Sequence, residues 1–153
     1  MKKVKPQKIA PGPGAVALAD GLHSAAIHLL RRVRQEDVAT GEGPARLSAL
    51  SVLVFGGPKT LGELAASEQV KPPTMSRIVA GLARGRLIEI SADRSDARRL
   101  RISATPKGTR LLQQARQRRV EYLATRLAAL SSSDLAKLAD AVEILRQILA
   151  TWR

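Results

Sequence analysis

Cysteine is absent from the chain. That excludes disulfides, thiolate metal sites and a cysteine redox switch, and it fits a reducing compartment. Aromatic residues are almost absent too: Phe55, Tyr122 and Trp152 make up 2% of the chain. Proteins that hold RNA or single strands stack bases on aromatic side chains. So few rings cannot build such a platform, and the core must come from Leu, Val, Ile and Ala, which suits close-packed helices. No apolar run approaches the roughly 20 residues needed to span a bilayer. The N-terminal lysines are followed by no apolar stretch of a secretory signal, so the chain reads as cytoplasmic. Negative charge is scarce as well. The 13 acidic residues face 26 basic ones, for a formal net charge of +13. That surplus points to a polyanionic partner, duplex DNA before an anionic membrane. The plainer reading is a solvated basic surface.

No catalytic set converges. Ser131, Ser132 and Ser133 read as a helix cap without a nucleophile elbow, and the glycines at 12–14 and 56–57 match no phosphate loop. His23 and His28 lie five apart, off the i, i+4 spacing of a helical metal pair, and no cysteine completes a site. Neither enzyme activity, nor a metal, nor a cofactor is expected.

With 153 residues the chain can form one domain or two small lobes sharing helices. Residues 1–14, MKKVKPQKIAPGPG, read as a basic arm that either touches phosphates or is idle. A first helix is expected from Ala15 to about Asp37, with Leu22, Ala26, Leu29, Leu30 and Val33 on one face. Thr40-Gly41-Glu42-Gly43 breaks it, closing a segment 15–43. Pro44 opens a second helix and Gly56-Gly57-Pro58 stops it. Thr60-Leu61-Gly62-Glu63 has the form of a capping box and starts a short third helix with Leu61, Leu64 and Ala65 inward. After the turn at Ser67–Val70, Pro72 and Pro73 open a fourth helix. Its buried stripe is Met75, Ile78, Val79 and Leu82, and its other side carries Pro73, Thr74, Arg77 and Arg84. Leu87–Ile90 and Leu100–Ser103 are strand candidates around the arginine-rich tip 93–99. Pro106 starts a long helix to about Leu130. The last helix repeats Leu135, Leu138, Val142, Leu145, Leu149 and Trp152 at alternating spacings of three and four, the seam of a packed helix pair. That seam lies either on its own core or on a second subunit. The subunit interface is preferred, because the terminal helices otherwise leave apolar stripes uncovered.

The order helix, short helix, turn, helix, strand, basic loop, strand is that of a winged helix-turn-helix. The fold class is mainly α with a small β-hairpin: a DNA-binding lobe at 44–104 and a helical dimerisation lobe from 15–43 and 105–153. A recognition helix needs an apolar face to anchor it and a short polar face to enter the major groove. Residues 72–84 offer both. Arg77 can donate two parallel hydrogen bonds to a guanine edge, Thr74 can reach a base or a thymine methyl, and Pro73 stiffens the helix start. Lys71 and Ser76, with Lys59 and Thr60, suit phosphates. Arg94, Arg98 and Arg99 on the wing suit a narrow minor groove. Leu22, Leu138, Val142, Leu145, Leu149 and Trp152 are the candidate dimer contacts.

The stretch GPARLSALSVLVFGGPKTLGELAASEQVKPPTMSRIVAGLARGRLIEI, followed by DRSDARRLRISATPKG, resembles the MarR (multiple antibiotic resistance regulator) family. The marks are TLGELA at 60–65, TMSRIV at 74–79, Asp96-x-Arg98, and T-x-K-G at 105–108, in order and at spacing. The resemblance spans about residues 15–150. It implies a homodimer on a near-palindromic operator, repression, and release by a small, often aromatic effector bound between the lobes. It places Arg98 in the minor groove, with Asp96 holding the loop, and it lets His23 line the effector pocket, against the alternative of a solvent-facing histidine. Two departures stand out. Family members usually carry glycine just before the leucine that opens the first wing strand, where this chain has Arg86 after Gly85. Either Arg86 takes a left-handed conformation, at a cost of roughly 1 kcal/mol, or Gly85 ends the helix and Arg86 is left to touch phosphate. Second, the absence of cysteine excludes peroxide sensing. A sequence-specific regulator and a non-specific architectural DNA-binding protein are competing readings of the whole chain, and the charge of +13 argues against a third, a protein-interaction winged helix with no DNA role.

Overall fold

The computed structural model describes residues 10, 12–92 and 99–151. Helix α1 spans Pro13–Val33 and continues into a 3-10 helix, Arg34–Thr40. Then follow α2 (Pro44–Gly56), α3 (Leu61–Ser67), α4 (Pro72–Arg84), β1 (Ile88–Ala92), β2 (Leu100–Ala104), α5 (Pro106–Leu127) and α6 (Ser132–Thr151). This is the mainly α winged helix-turn-helix expected from the sequence.

Proline writes most of the helix starts. Pro13, Pro44, Pro72 and Pro106 open α1, α2, α4 and α5. A proline at the first helical position gives up an amide that has no helical partner there, and its fixed φ suits the helix. The preceding residues Gly12, Gly43, Lys71 and Thr105 are all extended, the conformation proline imposes on its neighbour.

Two helices have bounds that differ from expectation. The first helix starts at Pro13 and leaves α geometry at Val33, not near Asp37. Its last residues tighten into the 3-10 turn, where the Thr40 hydroxyl donates to the Asp37 carbonyl at 2.6 Å and Gly41 ends the run at φ 72°. The long helix α5 stops at Leu127 rather than Leu130.

The core is built where α2, α3, α4, the hairpin and the start of α5 meet. It holds Leu50, Leu53, Leu64, Met75, Val79, Leu82, Leu87, Ile88, Ile102 and Leu112. Burying one such side chain stabilises by about 1.5–3 kcal/mol, so this cluster carries the lobe. Strands β1 and β2 pair antiparallel, with Ile88 opposite Ala104 and Ile90 opposite Ile102. Lys59 adds a further rung: its amide donates to the Ile102 carbonyl at 3.0 Å, and the Ile102 amide returns a bond to the Lys59 carbonyl at 2.8 Å. That rung ties the start of α3 to the wing.

The terminal helices are different. Within the chain, α1 buries only Val33 and α6 buries no residue. Leu18, Leu22, Leu29 and Leu30 on α1, and Leu138, Val142, Ile144 and Leu149 on α6, are exposed. No helix among the described residues is long and apolar enough to cross a membrane.

Candidate nucleic-acid interface

Helix α4 stands on an apolar footing and presents a polar face. Met75 and Leu82 are fully buried and Val79 nearly so, at the helical spacing i, i+4 and i+7. Lys71, Pro73, Thr74, Ser76 and Arg77 are exposed on the other side. The two prolines at the start delete two of the four amides that a helix beginning leaves unpaired. The Thr74 and Met75 amides both donate to the Lys71 carbonyl, at 3.0 and 3.1 Å. The helix therefore needs no carboxylate cap, and its first turn carries no acidic residue. A positive helix end with no fixed anion beside it suits an incoming phosphate.

Helix α3 sets the position of α4. The capping box expected at Thr60 is formed: the Thr60 amide donates to the Glu63 carboxylate at 2.8 Å, and the Glu63 amide donates to the Thr60 hydroxyl oxygen at 3.3 Å. These bonds hold the Glu63 carboxyl below its ordinary value of 4.5, the Thr60 amide being the larger cause and its hydroxyl the next. Beyond α3 the chain turns through Gln69 in the left-handed region, φ 54°. The Val70 amide then donates to the Ala65 carbonyl at 3.0 Å, and Val70 packs against the core.

The corner after α4 resolves the departure at residues 85–86. Gly85 stays helical at φ −73°, and Arg86 takes the left-handed conformation at φ 56°. The T-x-K-G motif clamps that corner. Thr105 donates through its hydroxyl to the Arg86 carbonyl at 2.8 Å and through its amide to the Leu87 carbonyl at 3.0 Å. The same hydroxyl accepts from the Gly108 amide at 3.1 Å and so caps α5. Lys107 donates to the Gly85 carbonyl at 2.9 Å at the end of α4, where a helix favours a cation. A Cβ at Gly108 would collide with the Leu87 carbonyl oxygen, so only glycine fits there. The motif thus fixes the angle between recognition helix, wing and α5, a role the sequence reading limited to starting a helix.

Of the wing residues singled out, Arg94, Asp96 and Arg98 lie outside the described residues, as does Trp152 of the last helix. Arg99 is exposed and lines a shallow cleft with Thr60, Leu61, Gly62, Glu63 and Leu100. The fold thereby brings Thr60 and Arg99 together, although they are far apart in sequence, and half-buried Lys59 is one residue from that cleft. A second cleft joins Thr74 and Arg77 to Gly43, Pro44, Ala45 and Arg46 at the start of α2. Arg46 was not singled out from the sequence. Its neighbour Pro44 marked the helix start, but nothing local shows that the start of α2 abuts α4. Arg101 was also missed; its guanidinium donates to the Pro58 carbonyl at 2.8 Å and braces the rung at Lys59. His23 is exposed on α1 and is not among the residues lining the cleft between α1, α2 and α5. Leu22, Leu138, Val142 and Leu149 are exposed and Leu145 is half-buried.

A recognition helix on a helix-turn-helix footing, with an antiparallel hairpin beside it and a net charge of +13, defines a winged-helix protein of the DNA-binding class. No protein-family model matches the chain. An HTH-type transcriptional regulator of Mycobacterium bovis is 34% identical over 128 residues, covering 84% of this chain and 90% of that protein. The structure of a MarR family protein from Bacillus stearothermophilus superposes with a TM-score of 0.78 at 24% identity, covering 93% of this chain and 100% of that one. A variant of the Staphylococcus aureus regulator MepR, solved bound to an oligodeoxyribonucleotide, superposes with a TM-score of 0.66 at 20% identity, covering 86% of this chain and 97% of that one. The chain belongs to the HTH-type transcriptional regulators, and its winged-helix fold is that of the MarR family protein.

Proposed function

We propose that this protein is a cytoplasmic transcriptional repressor, not an enzyme, that binds a near-palindromic operator as a homodimer and is released by a small, aromatic effector. The observation that carries the reading is α4, whose polar face of Lys71, Pro73, Thr74, Ser76 and Arg77 stands clear of an anchor of Met75, Val79 and Leu82. In this reading Arg77 and Thr74 read base edges, while Lys71, Ser76, Lys59 and Thr60 position the protein on phosphates. Arg94, Arg98 and Arg99 enter the adjoining minor groove, and Asp96 holds the wing. The DNA-bound structure of the MepR variant supports a nucleic-acid role for a chain of this fold.

The homodimer reading rests on α1 and α6. Their apolar stripes, including Leu22, Leu138, Val142 and Leu149, are left exposed among the described residues. A second copy covers them in a two-fold interface made by residues 15–43 and 105–153. The effector reading rests on a cleft of about 310 Å³ between α1, α2 and α5, lined by Leu30, Val33, Arg34, Leu47, Leu112 and Arg119 among others.

Selection from a randomised duplex pool at about 0.15 M salt tests the reading. Enrichment of an inverted repeat with half-sites about one helical turn apart, bound by two chains, is the expected result. Binding without enrichment, with a steep salt slope on any duplex, moves the protein to the architectural class.

A further inference from the structure

Helix α1 is a lever fastened near its C-terminal end. Its 21 residues bury only Val33, and the 3-10 connector that follows buries only one residue, Asp37. A charged side chain is an unusual anchor, because burying a carboxylate is costly unless it is paired. Here it is paired. Asp37 Oδ1 accepts from the Arg119 guanidinium of α5 at 2.7 Å, with the Asp37 side chain only 7% and the Arg119 side chain 27% exposed. Behind the connector the backbone turns sharply at Gly41, and Glu42 is held in turn by Arg46 of α2 at 2.9 Å. The connector is thus tied to α5 by one ion pair, and the turn that follows it is tied to α2 by another.

We propose that the Asp37–Arg119 pair is a positioning device that fixes the attitude of α1 relative to the lobe carrying α4. An apolar plug would bury the connector equally well, yet it would let the connector slide or roll. A short charge-assisted hydrogen bond has one good geometry, so it selects one orientation of the lever; buried ion pairs often contribute orientation more than net stability. The functional meaning of that orientation rests on the proposed dimer, since α1 then joins two recognition helices. The orientation itself is a property of one chain and is measurable without partner or DNA.

The lack of cysteine makes the measurement clean. Ser24→Cys on the polar side of α1 and Ala80→Cys on α4 accept two spin labels on the full chain, diluted with unlabelled protein so that only the distance within a chain is read. The parent gives one narrow distance distribution. Asp37→Asn, which keeps shape and removes charge, is expected to broaden or shift it while the melting transition of the core stays cooperative. Arg119→Lys, which keeps charge and loses the planar fork, gives an intermediate width and decides the matter if Asp37→Asn does not fold. An unchanged distribution in the variants, even with a lowered melting temperature, overturns the proposal and leaves the pair as a stabilising contact only. An unchanged distribution overturns the lever whatever the variants do to operator binding, whereas a parent that selects no preferred duplex sinks the DNA reading and leaves the measured distances as they are.

Discussion

Gly108 and Arg86 both lie at the corner between recognition helix, wing and α5, and each makes its own prediction. Adding a methyl at Gly108 drives a Cβ into the Leu87 carbonyl, which is backbone and cannot swing aside. Gly108→Ala is expected to destabilise by about 1–3 kcal/mol, the range for overpacking a tight contact, as read by chemical unfolding. Parent-like stability would show that the corner relaxes freely. Arg86 carries the opposite kind of strain, a left-handed backbone on a residue with a Cβ, φ 56°. Arg86→Gly relieves about 1–2 kcal/mol of that strain but gives the unfolded chain about 0.4–1 kcal/mol more freedom. The expected net gain lies between zero and about 1.6 kcal/mol. A loss on unfolding would mean that the arginine side chain contributes more than its backbone costs.

Among the elements, α3 depends on a cap that acid removes. The Glu63 carboxyl is held below 4.5 by the Thr60 amide and then by the Thr60 hydroxyl. A carboxyl depressed in the folded state contributes stability above its unfolded pKa, and that contribution fades as pH falls through the folded value. The Thr60 amide proton resonance is therefore expected to titrate with a midpoint below 4.5, and Glu63→Gln abolishes that titration. A midpoint at or above 4.5 contradicts the box. Asp134, depressed by the Ser131 hydroxyl and then by Lys137, behaves the same way at the start of α6.

This cap was legible in the sequence because its partners lie three residues apart, as were the proline helix starts and the Met75, Val79, Leu82 stripe. The rung between Lys59 and Ile102 was not, since one residue of strand carries no periodicity. The Asp37–Arg119 pair was not, since its partners are 82 residues apart in sequence and only the fold brings them together. The T-x-K-G motif was seen as a signature while its physical work was hidden, because Thr105 and Lys107 act on the carbonyls of Arg86 and Gly85.

For the molecule as a whole, charge and the apolar terminal helices set what it can bind. The interface reading predicts that Leu138→Asp combined with Val142→Asp yields a monomer by sedimentation, with helix content retained, because neither residue is buried within the chain. Loss of operator binding by about 100-fold or more should follow, since one half-site forfeits the linkage of the other. A double variant that stays dimeric would move the interface elsewhere.

Whether α4 reads base identity through Arg77 is decided by repeating the duplex selection with Arg77→Ala. The expected result is an inverted repeat that keeps its spacing but loses preference at one position in each half-site, with affinity for the parent operator lower by about 1–3 kcal/mol. An unchanged sequence preference with affinity reduced uniformly on every duplex would contradict it, and would place Arg77 on the phosphate backbone.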